Sequence, residues 1–281
     1  MQGKIVKNIS NDFTVLCSDN KLRTCKARGK FRNMKLTPLV GDNVTIDENN
    51  NYILELLPRK NELIRPSICN IDTVFIIAST KKPDFDTNLL DKLLCIAEYN
   101  LIKPVIVLTK LDLLSEEEKS KLEPVFNYYK KIGYDVVENT NLEKIKKLIK
   151  DKVSVFTGQS GAGKSTLLNR LDETFNIKTN EISLALGRGK HTTRHTEFFF
   201  IEGGRVADTP GFSSLDFKEL KMSKEDIRDN FTEFFNLSED CKYKDCMHYH
   251  DDGCKVKEEL EKGNVLPSRY ENYIKFITNK E

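Results

Sequence analysis

The chain has 281 residues, room for two or three domains of ordinary size, and 38% hydrophobic content suits packed cores. Its 45 basic and 43 acidic residues leave a net charge of only +2, so bulk charge names no partner. The longest apolar run, Val74 to Ala78, is far short of a membrane span, and Met1-Gln2-Gly3-Lys4-Ile5 lacks an apolar signal core, so a cytoplasmic protein is expected.

Residues 1–62 read as five short strands, Lys4–Ile9, Phe13–Cys17, Lys21–Ala27, Asn43–Ile46 and Tyr52–Leu57. Turn signals such as Ser18-Asp19-Asn20 and Gly41-Asp42 separate them, as in a small all-β barrel of the OB-fold type. From Ile71 strands alternate with helices. The strands are Val74–Ala78, Val105–Thr109, Tyr134–Val137 and Val153–Thr157; the helices are Asn88–Tyr99, Ser115–Ile132, Leu142–Lys150 and Lys164–Leu171. Glu197–Ile201 and Arg205–Ala207 form an expected hairpin through Gly203-Gly204. This alternation predicts an α/β, mostly parallel, doubly wound sheet. Ser223 with Asp226 predicts a capped helix running to about Leu237, followed by a cysteine-rich loop and two short helices. The expected domains are 1–62, 63–218 and 219–281.

Gly158-Gln159-Ser160-Gly161-Ala162-Gly163-Lys164-Ser165, between a strand and a helix, has the spacing of a P-loop. Its backbone N–H groups would wrap phosphates, Lys164 would reach the β- and γ-phosphates, and Ser165 would ligate Mg²⁺, with Thr166 next in line. Thr109-Lys110-Leu111-Asp112 closes another strand. There Asp112 would accept hydrogen bonds from guanine N1 and N2, and Lys110 would lie along the base. Adenine loses both bonds, so the nucleotide is expected to be GTP. Glu138-Asn139-Thr140 stands where a guanine-backing element is expected. Asp208-Thr209-Pro210-Gly211 would orient Mg²⁺ through Asp208 and sense the γ-phosphate through the Gly211 N–H. Gly187–Thr193 lies where a first switch belongs, and either Thr193 or Thr192 would close on Mg²⁺. Phe212 cannot orient an attacking water, so either hydrolysis is very slow or another group supplies the function, with His191 the candidate. The order of these parts is permuted, because the base-reading motif precedes the P-loop. The third element then feeds directly into residues 219–281.

Cys241-x4-Cys246-x-His248-x5-Cys254 places three thiols and an imidazole within fourteen residues, a Cys₃His set for one structural zinc, with His250 a competing fourth ligand. Cys17, Cys25, Cys69 and Cys95 read as small buried apolar residues. Seven basic residues, Lys21, Arg23, Lys26, Arg28, Lys30, Arg32 and Lys35, fall in fifteen positions without an acid. The run suits phosphate contact with RNA, with Phe31 offered for base stacking.

Together, the barrel, the permuted motifs with Asp-Thr-Pro-Gly-Phe, the loop Gly-Lys-His-Thr-Thr and the cysteine lobe resemble the bacterial small-subunit ribosome biogenesis GTPases of the RsgA (YjeQ) family. Arg65-Pro66-Ser67 and Asn70-Ile71-Asp72 are similar to that family too. The resemblance covers essentially the whole chain. It implies a circularly permuted P-loop GTPase domain between an OB-fold barrel and a helical zinc lobe. It also implies binding to the immature 30S subunit and 16S rRNA, hydrolysis stimulated by that subunit, and His191 as the switch histidine. Membrane and DNA are not among the expected partners, and a monomer is the default. Thr109 departs from the commoner asparagine, and Gly161 stands where potassium-activated GTPases carry asparagine. Two other functions compete: an RNA-binding module gated by nucleotide, and a P-loop kinase or ATPase, against which Asp112 argues.

Overall fold

The computed structural model describes residues 1–64, 67–172, 196–208 and 214–278. It divides into two units. The first comprises Met1–Val74, Asn141–Thr157 and Lys164–Phe212, the second Phe75–Thr140, Gly158–Gly163 and Ser213–Glu281.

In the first unit, β1 (Gln2–Ile9), β2 (Asp12–Cys17), β3 (Leu22–Ala27), β4 (Asn43–Asp47) and β5 (Tyr52–Leu56) pair in the order β1-β2-β3-β5-β4, and β1 pairs again with β4 to close the barrel. Alternation drives this: Phe13, Val15 and Cys17 of β2 point inward with Ile5, Cys25, Val44, Ile46 and Ile53. One turn of helix, α1 (Lys30–Asn33), interrupts the basic run. It turns Phe31 into the core at 4% exposure, so Phe31 offers no face for base stacking. Acids from elsewhere also enter that run. Asp19 grips Arg23 through two bonds of 2.9 Å, and Asp47 lies 3.6 Å from Arg28.

Short β6 (Glu62–Leu63) and β7 (Ile68–Cys69) follow the barrel. Asn70 then donates to the Gly41 carbonyl, and the Asp72 carboxylate accepts the Val153 N–H. The same unit holds α4 (Leu142–Ile149), β11 (Val153–Thr157) and α5 (Lys164–Leu171). A two-residue strand, β12 (Thr196–Glu197), lies antiparallel to β1 on the barrel. Finally, β13 (Phe199–Ile201) is antiparallel to β14 (Gly204–Asp208), which runs parallel to β11. The β13–β14 turn is Glu202-Gly203, both at positive φ, one residue earlier than expected. That is the twist a tight hairpin favours.

In the second unit, β8 (Thr73–Ser79, entering at Phe75), β9 (Lys103–Thr109) and β10 (Asp135–Glu138) lie in the order β10-β9-β8, with β10 parallel to β9. Buried Val105, Ile106, Val107 and Leu108 give β9 the continuous apolar run of a strand covered on both faces. Helix α2 (Thr87–Tyr99) is capped by Asp86 and α3 (Glu116–Lys131) by a Ser115–Glu118 capping box.

The C-terminal part has α6 (Lys224–Asp229), α7 (Thr232–Ser238), α8 (Lys255–Glu261) and α9 (Pro267–Thr278). The Ser223–Asp226 capping box is present, but the helix expected to reach Leu237 breaks at Asn230-Phe231. The break lets Phe231 turn inward, fully buried against Phe234, Tyr273 and the guanidinium of Arg269. Arg269 is itself buried. It donates to Asp91 of α2 at 2.8 Å and to both carboxylate oxygens of Glu233. Burial opposes its charge, but Glu233 and Asp91 outweigh that and raise its pKa. Removing one partner of such a buried pair would leave an uncompensated charge, at a cost of about 3–5 kcal/mol. Among the described residues, no helix is long and apolar enough to cross a membrane.

Candidate nucleotide and metal sites

Gly158 leaves β11 at φ +143°, and a Cβ there would stand 2.3 Å from the Ile77 carbonyl oxygen, so the loop's first position admits only glycine. Gly163, at φ +95°, lies against Thr109. The Ala162 N–H returns to the Gln159 carbonyl at 3.2 Å, a tight turn that leads into α5 at Lys164. Leu167, Leu168 and Leu171 bury one face of α5, while Thr166 is exposed.

Thr109 ends β9 at 1% exposure. Its hydroxyl donates to the Ala162 carbonyl at 2.7 Å, which ties the base-reading motif to the phosphate loop. Thr80, which pattern reading did not single out, secures the other side: its hydroxyl and N–H both donate to the Thr109 carbonyl, at 2.9 and 3.1 Å. Lys110 then adopts left-handed φ of +61° and donates to the Lys82 carbonyl. The one-turn helix Leu111–Leu113 presents Asp112 to solvent. The Asn139 N–H donates to the Leu108 carbonyl at 2.9 Å, which puts Glu138-Asn139-Thr140 beside the base motif. Gly158, Gln159, Ser160, Gly161, Ala162, Gly163, Thr109, Lys110 and Asp112 thus fall in one unit.

Asp208 is the last residue of β14, opposite Phe156 of β11. Thr209, Pro210, Gly211, Phe212, His191, Thr192, Thr193, Arg65 and Pro66 lie outside the described residues.

The ligand atoms of Cys241, Cys246, His248 and Cys254 all lie within 4.8 Å of one another. His248 Nδ1 is 3.4 Å from Cys254 Sγ and 3.7 Å from Cys241 Sγ. Those are the edges of a tetrahedron with metal–sulfur bonds of about 2.3 Å and metal–nitrogen bonds of about 2.0–2.1 Å. Backbone N–H groups of His248 and Lys255 donate to Cys246 and Cys241 Sγ at 3.4 and 3.3 Å, the support a thiolate needs. Burial raises the Cys246 and Cys254 thiols and lowers His248 to about 4, so the imidazole is neutral and free to ligate. His248 reaches this pose through φ +56°, and Tyr270 O–H donates to its carbonyl at 2.8 Å. His250 is stacked on Tyr249 instead, with ring centroids 3.6 Å apart. The cluster is compatible with a metal site. Cys17, Cys25, Cys69 and Cys95 are all buried, as expected of packing residues, although Cys69 also donates to Asp42 at 3.2 Å.

Comparison with known proteins agrees across the chain. The RsgA GTPase family profile matches residues 56–218 and the RsgA N-terminal domain profile residues 2–53. The small ribosomal subunit biogenesis GTPase RsgA of Enterococcus faecalis is 44% identical over all of this chain and 96% of its own length. Its Streptococcus pyogenes counterpart is 45% identical with the same coverage. Among solved structures, YloQ, a circularly permuted GTPase, superposes with a TM-score of 0.84 at 37% identity, over 99% of this chain and 94% of that one. YjeQ from Thermotoga maritima gives 0.85 at 33% identity, over 99% and 97%. By sequence over its full length and by fold, the chain belongs to the RsgA family of circularly permuted GTPases.

Proposed function

We propose that this GTPase acts in late assembly of the 30S ribosomal subunit, hydrolysing GTP slowly alone and faster on the subunit. The observation that carries the reading is the Thr109–Ala162 hydrogen bond, which supports it by joining the segment Thr109-Lys110-Leu111-Asp112 to the glycine-rich loop that begins at Gly158. Relatives named as small-subunit biogenesis GTPases support the cellular role.

Asp112 accepts from the guanine N1 and N2 hydrogens, and Lys110 flanks the base. Backbone N–H groups of Gly158 to Ser165 hold the phosphates, with Lys164 on the β- and γ-oxygens. Ser165, Thr193 and, through water, Asp208 would hold Mg²⁺, which supplies charge neutralisation when bound. His191 positions the water whose oxygen attacks the γ-phosphorus; the bond to the β–γ bridging oxygen breaks, giving GDP and phosphate. The Gly211 N–H reads whether the γ-phosphate is present. The Cys₃His set takes zinc as a structural staple, with all four positions filled by protein and none left for catalysis. We read residues 1–62 as the barrel that meets 16S rRNA, 63–218 as the GTPase domain and 219–281 as the zinc lobe, in a cytoplasmic monomer with no membrane or DNA partner.

The test is GTP turnover with and without purified 30S subunits, for wild type and His191→Ala. A rise of about 10³-fold or more in wild type alone is expected, the size of activation seen in trans for other GTPases. No rise in either would favour nucleotide-gated RNA binding, the reading that Phe212 supports.

A further inference from the structure

Beside the closed edge of the barrel lies an open cleft of about 520 Å³, lined by Gln2, Lys4, Ser18, Asn20, Asn43 and Arg205. Two cations share it. Lys4 Nζ spends one N–H on the Gly41 carbonyl at 3.1 Å and keeps two others. Arg205 is the second residue of β14, and its buried Nε finds no hydrogen-bond acceptor among the described residues. The nearby acid is already engaged, because Asp72 pairs with Lys60 and accepts the Val153 N–H at 2.7 Å. Burial and the Arg205 charge together hold the Lys4 ammonium below its ordinary value. Two like charges in one half-buried cleft, beside an unmet guanidinium donor, are a standing cost that an anion would relieve.

We propose that this cleft is a second anion site, separate from the nucleotide's, in which Arg205 and Lys4 hold a phosphate group. The side chains of Gln2, Ser18, Asn20 and Asn43 add neutral donors. The planar guanidinium fork matches two phosphate oxygens, and Lys4 adds a point charge. Strand register separates the two sites. Arg205 pairs with Val153 at the start of β11, whereas the phosphate loop follows its other end, where Phe156 pairs with Asp208. The phosphate belongs either to an RNA backbone or to a free phosphate ion.

The full chain, saturated with GDP so that its phosphate loop is filled, separates these sources. The Arg205 Nε–H resonance of ¹⁵N-labelled protein is followed while inorganic phosphate, then a single-stranded RNA 12-mer, is added. A saturable shift is expected, weakened roughly tenfold or more in Lys4→Gln. For RNA, Arg205→Gln and Lys4→Gln should each lower the slope of log affinity against log salt by about one, with Arg205→Lys restoring part of it. A response to RNA alone assigns a backbone phosphate, and a response to inorganic phosphate assigns a free anion. GDP affinity of each variant reports that it has folded. A shift that never saturates, together with unchanged salt slopes, overturns the site. So does equal binding of a polyglutamate peptide with no response to phosphate.

Discussion

The Thr109 hydroxyl makes a bond that valine, its isostere, cannot. In Thr109→Val the Ala162 carbonyl, 2.7 Å from that hydroxyl, loses its donor inside a buried contact. Leaving such an acceptor unmet costs about 1–3 kcal/mol, so GDP affinity should fall by about tenfold, while Thr109→Ser retains it. Titration of a fluorescent GDP analogue decides this, and equal affinity of Thr109→Val and wild type would show that the tether is irrelevant. This residue also marks a limit of pattern reading. In the sequence, threonine is only a departure from the commoner asparagine, because a tetrapeptide carries no information about which carbonyl its first side chain meets. The structure supplies a partner 53 positions away in the chain.

At the scale of elements, local chemistry was legible wherever a signal and its partner lie within a turn. The Ser115–Glu118 and Ser223–Asp226 boxes start helices where expected, and the five barrel strands follow their alternation. Tertiary partners decided what was missed. Phe231 breaks a helix because an aromatic cluster receives it, and Phe31 is buried because one turn of helix aims it inward. Likewise Asp91 and Arg269, 178 positions apart, show no joint pattern in sequence. The α3 box makes a pH prediction. Lys81, then the Ser115 N–H, holds Glu118 down at about 2, against about 4.3 for an unfolded glutamate. A depressed carboxylate stabilises the fold above its unfolded pKa and loses that contribution as pH falls through the folded one. Between about pH 5 and 2, thermal stability should therefore fall less steeply in Glu118→Gln than in wild type. Parallel curves of Tm against pH would refute it. The cysteine lobe makes another prediction. Chelation should render Cys241, Cys246 and Cys254 alkylatable, while buried Cys17, Cys25, Cys69 and Cys95 stay unmodified. Mass spectrometry after brief native alkylation reads the outcome, and an unchanged pattern would argue against a bound metal.

For the whole molecule, the permuted order makes a mechanical prediction. In the usual chain order the segment we propose to sense the γ-phosphate continues into the rest of the GTPase domain; here the sequence after Phe212 leads straight to the C-terminal helices. Those helices belong to the same unit as the base motif and residues Gly158–Gly163, and Arg269 fastens α9 and α7 to α2 through Asp91 and Glu233. A rearrangement that follows the γ-phosphate is therefore expected to reach these helices. Hydrogen exchange over residues 224–278 should differ between the GDP form and a non-hydrolysable GTP form, most strongly in α6, the first helix after the switch. Metal extraction should raise exchange around Cys241–Cys254 in both forms, whereas the nucleotide effect should reach α9 only while Arg269 holds its partners. If exchange over 224–278 is identical with either nucleotide, the C-terminal helices do not respond to GTP, and the permuted order has no mechanical role.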